Sequence, residues 1–162
     1  MKTVERADIL ASAAESFPLL GSVTTDQLID LVQLELGHPE ILDGFRPYAG
    51  GFSRAVPNDP LLHVISGNTP HAGLQSLIRG LLLGAHNLVK LPSGGLREIE
   101  DFIELLPASL TGKVETTVDL PDQWLSESHT CIVFGSDATI THFRQRLPAE
   151  TSFEAHPHRI SL

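Results

Sequence analysis

The chain has 162 residues, 41% hydrophobic and 19% charged, which is enough for one buried core and too few for two domains of ordinary size. A formal charge of −9, with eleven Lys and Arg that form no patch in sequence, argues against a nucleic-acid partner. The opening Met1-Lys-Thr-Val-Glu-Arg-Ala-Asp8 has no apolar signal core and Arg79 interrupts the longest apolar helix, so no membrane segment is expected and the reading is cytoplasmic; one Cys precludes an internal disulfide.

Val4, Ala7, Leu10, Ala11 and Ala14 form a helical stripe over residues 3–16 that Phe17-Pro18 should end. Thr24 or Thr25 then offers an N-cap, Asp26 suits the positive end of a helix, and Leu28, Ile29, Val32 and Leu36 line one face until Gly37. These two helices are expected to cover hydrophobic surface or a second copy of the chain in a homo-oligomer. From His38 to Pro60, frequent Pro and Gly mark a connecting segment with room for one short strand. Its Arg46, Tyr48 and Arg54 could reach an anion, although solvated loop arginines are the simpler account. Residues 1–60 thus read as N-terminal helices and a connector.

Residues 61–93 carry the functional signal. Leu61, Leu62, Val64 and Ile65 form an apolar run, Ser66-Gly-Asn-Thr-Pro70 is turn chemistry, and Leu74, Leu77, Ile78, Leu81 and Leu82 recur at helical spacing. Gly84 follows as a helix C-cap, and Asn87-Leu-Val-Lys-Leu91 begins a second strand. This βαβ unit puts Asn68 after its first strand and Lys90 at the carboxyl end of its second. In an open α/β sheet, ligands bind outside those ends.

Gly94-Gly95 leads into a third helical pattern through Leu96, Ile99, Phe102, Ile103 and Leu106, whose first N–H groups could face a phosphate or a ribose. Lys113–Asp119 reads as a third strand, Pro121–Glu127 as a short helix, and His129–Phe134 as a fourth, doubly buried strand. That strand runs into Gly135-Ser136-Asp137 and a helix with Ile140 and Phe143. Thr151–Leu162 reads as one more strand and the start of another, and Ile160-Ser161-Leu162 has the look of a core strand cut short. The pattern predicts an α/β fold: a Rossmann-like open, mostly parallel sheet with helices on both faces over residues 61–162, preceded by two N-terminal helices.

The hydrophobic strand, Gly-Asn-Thr-Pro turn, apolar helix and Val89-Lys-Leu-Pro-Ser93 sequence resemble the acyl-CoA reductase family, the fatty-acid reductases of bacterial bioluminescence and their relatives in the aldehyde dehydrogenase superfamily. The resemblance implies that the Asn68 amide donates to the oxyanion of a thiohemiacetal and that Lys90, with Ser93 nearby, binds the adenosine ribose. It also assigns Gly135 and Ser136, in a Phe-x-Gly-Ser-like turn, to the cofactor pyrophosphate. Leu91 before Pro92 and Gly94 in place of an acid after Ser93 depart from the superfamily pattern. The missing acid implies NADP(H) as cofactor, with NAD(H) the alternative. The implied substrate is an acyl-CoA or aldehyde, met through a catalytic cysteine domain absent from these residues.

Cys131 sits between apolar neighbours inside a strand, the setting of an inert, packed thiol. His156 and His158 could share one strand face, yet no further ligand follows at recognised spacing and no metal is expected. The rival to a reductase portion is a stand-alone nucleotide-binding, regulatory or assembly module without chemistry of its own.

Overall fold

The computed structural model describes residues 1–157. Helix α1 (Thr3–Glu15) turns Ala7, Leu10, Ala11 and Ala14 inward. Helix α2 (Thr25–Leu36) starts with a capping box: Thr24 Oγ1 accepts from the Gln27 N–H, and the Gln27 side chain accepts from the Thr24 N–H. The connector holds two strands where one was anticipated, β1 (Arg46–Tyr48) and β2 (Gly51–Ser53), paired antiparallel. Three residues are too few for a period-two pattern, and Pro47 and Gly50-Gly51 conceal them further.

Strand and helix then alternate: β3 (Leu61–Val64), α3 (Pro70–Leu83), β4 (Asn87–Lys90), α4 (Arg97–Glu104), α5 (Ala108–Thr111), β5 (Val114–Thr117), α6 (Asp122–Glu127), β6 (Thr130–Gly135), α7 (Asp137–Arg146) and β7 (Ser152–Pro157). Strands β3 to β7 make one five-stranded sheet, parallel throughout, in the order β5-β4-β3-β6-β7. The expected α/β sheet is therefore present. The single turn of α5 has no periodicity that would have foretold it. The further strand anticipated at the end of the tail falls on residues 158–162, outside the described residues.

Alternation along the strands divides the core in two. Ile65, Val89 and Leu91 face α1, α2, α3 and α4, while Leu62, Val64, Leu88, Cys131 and Val133 face α6 and α7. Leu74, Leu77 and Leu81 of α3 are fully buried, each contributing ~1.5–3 kcal/mol relative to exposure. Helix α3 lies unusually close to the sheet. A Cβ at Gly73 would stand 2.7 Å from Ile65 Cγ2, and one at Gly80 would stand 1.9 Å from Asn87 Oδ1. These two positions, on one helix face, need the smallest residue to let the backbone in.

Arg6 fastens α1 to the far end of α3. Its buried guanidinium donates from Nε to Leu82 O at 2.8 Å, from Nη1 to Met1 O at 2.8 Å and from Nη2 to Thr3 Oγ1 at 3.0 Å. Leu82 O lies in the last turn of α3, where a helix leaves carbonyls without internal partners and favours a cation. Burial lowers the Arg6 pKa, opposed by Asp43 and Glu5. No helix among the described residues is long and apolar enough to cross a membrane.

Candidate functional site

The strand order places the winding reversal of the sheet between β3 and β6. The chain leaves β3 toward α3 on one face and leaves β6 toward α7 on the other, so a crevice opens between the two turns at the carboxyl edge. One wall is Ser66-Gly67-Asn68-Thr69 and the other is Gly135-Ser136.

Within the first wall, Asn68 is exposed, its Oδ1 accepts from Ser66 Oγ at 2.9 Å, and Ser66 Oγ lies 2.8 Å from Thr69 Oγ1. Pro70 opens α3 at a position where a missing N–H costs no internal bond. Lys90 ends the neighbouring strand, and its carbonyl accepts from the Ile65 N–H at 3.0 Å. Its Nζ donates to Leu91 O at 2.7 Å, and it takes no part in the three ion pairs recorded among the described residues. A Cβ at Gly67 would touch Pro92 at 3.7 Å, so the Asn68 turn and the Lys90–Ser93 segment pack side by side. Ser93 is exposed, and Gly94 has open space around it. Helix α4 follows with Glu98 and Glu100 in its first turn, the Glu100 carboxylate 3.7 Å from where a Cβ on Gly95 would stand.

On the second wall, Ser136 caps α7: its Oγ accepts from the Thr139 N–H at 3.2 Å and lies 3.0 Å from Thr139 Oγ1. A Cβ at Gly135 would come within 3.0 Å of Thr139 Cβ and Cγ2, which leaves that turn no room for a side chain. The first N–H groups of α7, at Asp137 and Ala138, have no acceptor within the helix and suit an anion, although the Asp137 carboxylate opposes one. Asn68, Lys90, Ser93, Gly135 and Ser136 thus all lie at the carboxyl edge, on three neighbouring strands.

Cys131 lies elsewhere, wholly buried in β6, and burial pushes its thiol up to about 12. At neutral pH on the order of one such thiol in 10⁵ is ionised, so it is a packing group. His156 stacks on Phe134 at 4.7 Å between ring centres; no cluster of three metal-ligating side chains occurs among the described residues, and His158 lies outside them. A cavity of about 660 Å³ sits against the β6–β7 half of the sheet, lined in part by Val32, Arg79, Ile132 and His156. It includes none of the five edge residues and is separate from the crevice.

One polar cluster escaped the sequence reading. His63, on β3, is fully buried with Nδ1 2.8 Å from Ser76 Oγ and Nε2 3.0 Å from Asn87 Oδ1. Asn87 Nδ2 donates to Ala85 O at 2.8 Å and to Lys113 O at 3.3 Å, so Oδ1 is the acceptor, Nε2 carries the proton and Ser76 donates to Nδ1. Burial holds the imidazole neutral, its pKa down to about 4 despite the Asn87 bond. A histidine within an apolar strand and an asparagine opening the next were the available signals.

A parallel five-stranded sheet with this crevice defines a nucleotide-binding α/β fold, and comparison with solved structures identifies it as that of the aldehyde dehydrogenase NAD-binding domain. A 3,6-anhydro-L-galactose dehydrogenase solved in complex with NAP aligns with TM-score 0.66 at 12% identity, over 97% of this chain and 40% of that one. A putative aldehyde dehydrogenase from Burkholderia cenocepacia aligns with TM-score 0.65 at 15% identity, over the same shares of the two chains. The family model described as acyl-CoA reductase (LuxC) matches residues 2–162, and the chain belongs to that family. Long-chain acyl-protein thioester reductases from Photobacterium phosphoreum and Photorhabdus luminescens are 33% and 35% identical over 66 residues, 41% of this chain. That stretch spans only 14% of each of those proteins.

Proposed function

We propose that this chain is the NAD(P)H-binding portion of an acyl-CoA reductase, working with an acyl-accepting cysteine that lies outside these 162 residues. The observation that carries the reading is the convergence of the Asn68, Lys90–Ser93 and Gly135–Ser136 segments on one sheet edge, in a chain of this family. The groups there fit a dinucleotide: a lysine outside any recorded ion pair, a helix start with free N–H groups, and a turn with no side chain at Gly135. Lys90 and Ser93 would hold the adenosine ribose, and Gly135, Ser136 and the start of α7 the pyrophosphate. Once bound, the nicotinamide supplies the hydride.

The chain's own part in the chemistry falls to Asn68. Its amide donates to the acyl oxygen as the carbon becomes tetrahedral and that oxygen turns negative, an interaction stronger in the transition state than in the ground state. Cys131, buried and protonated, does not serve as nucleophile. With no acid at Gly94 and the charge of Lys90 nearby, the pocket accepts NADP(H) at least as well as NAD(H), against the opposing charges of Glu98 and Glu100.

Calorimetric titration of NADPH into the wild-type chain and Lys90→Ala tests the reading. The variant should bind more weakly by ~1.5–3 kcal/mol, the range for a charge-assisted hydrogen bond, with its fold intact. Equal affinities would remove Lys90 from the site, and no binding by the wild type would overturn the cofactor role.

A further inference from the structure

Ser66 Oγ sits between two partners, 2.9 Å from Asn68 Oδ1 and 2.8 Å from Thr69 Oγ1. A carboxamide oxygen can only accept, so the single Ser66 proton goes to Asn68 and Thr69 must donate to Ser66. The relay therefore runs one way, from the Thr69 hydroxyl through the Ser66 hydroxyl to the Asn68 carbonyl. With Oδ1 held, Nδ2 is the end of this exposed side chain left to meet a ligand. A carbonyl that accepts a hydrogen bond also polarises its own amide and strengthens the N–H donors.

We propose that Ser66 is a positioning residue for Asn68: its hydroxyl, oriented by Thr69, fixes the amide so that Nδ2 and not Oδ1 faces the acyl oxygen. A flipped amide would set one partial negative charge against another at the moment the oxyanion forms. The inference rests on the oxyanion role proposed above for Asn68. Main-chain bonds from Thr69 N–H to Ser66 O at 3.3 Å and from Gly73 N–H to Thr69 O at 3.1 Å close the turn independently of the hydroxyl. Ser66→Ala should therefore keep the fold.

Two measurements test the proposal. In this chain, the Asn68 Nδ2 protons, assigned by their loss in Asn68→Asp, should exchange with water as fast as those of a free amide; a protected Nδ2 proton would mean that the amide faces the other way and would overturn the proposal. In the complete reductase polypeptide, Ser66→Ala should lower kcat about tenfold, the scale of one hydrogen bond, with cofactor affinity and KM unchanged. Ser66→Thr should restore the rate, and Ser66→Ala should have no further effect in an Asn68→Ala background. If Asn68→Ala is crippling while Ser66→Ala is harmless, or if the two losses multiply, the positioning role fails and the oxyanion reading stands. A harmless Asn68→Ala would remove that reading and this inference together.

Discussion

Lowering the pH from about 7.5 to about 5 should cost the folded state roughly 2 kcal/mol at a single residue, His63. The imidazole is fully buried and already committed at both nitrogens, accepting from Ser76 and donating to Asn87. Its pKa is about 4 in the fold against 6.5 in the unfolded chain. Between those values the unfolded chain takes up a proton that the fold refuses, so stability is full above pH ~6.5 and falls as the pH drops, by at most about 3.4 kcal/mol below pH ~4. Urea unfolding of the wild type and His63→Gln across this range isolates the effect, because contributions from the carboxylates cancel in the difference. Should the variant fail to fold, the imidazole ¹³C shifts of the wild type give the titration directly. Parallel pH profiles, or a His63 that titrates near its ordinary value, would refute the reasoning.

Gly80→Ala should destabilise by about 2–4 kcal/mol, since the new Cβ would stand 1.9 Å from Asn87 Oδ1 and must break that contact or lift α3 from the sheet; an unchanged urea midpoint would contradict this. Cys131 should stay unreactive toward a disulfide reagent at neutral pH until the chain unfolds, and stoichiometric labelling within the mixing time would show a thiolate where burial allows none. In direct competition at one ionic strength, NADPH should bind at least as well as NADH, and a tenfold preference for NADH, about 1.4 kcal/mol, would sink the cofactor assignment.

What could be read from the sequence was what repeats locally. The β3–α3–β4 unit announced itself through an apolar run, helical spacing from Leu74 to Leu82 and a glycine at 84, and Gly84 does end α3 in the left-handed region. Gly37 and Thr24 close and open α2 for the same local reasons. Cys131 could be read as buried because both faces of its strand are apolar, as befits a strand paired in parallel on each side. The His63–Ser76–Asn87 cluster spans separations of 13 and 24 residues, and Arg6 reaches Leu82 across 76. Such contacts arise only when helices settle on the sheet, so no periodicity reports them. Gly73 and Gly80 looked like ordinary weak points in a helix until the sheet behind them was seen. The edge residues were found by a family motif, and their adjacency follows from a strand order that local pattern does not encode.

The central claim is that a nicotinamide dinucleotide lies across the carboxyl edge between β3 and β6. Titrating NADPH into the ¹⁵N-labelled chain and following its amide resonances tests that most directly. The account predicts saturable shifts concentrated in residues 66–69, 90–96 and 135–139, on the two walls of the crevice. Saturable shifts confined to the opposite edge, around 85–87 and 128–130, or no shifts at all, would contradict it.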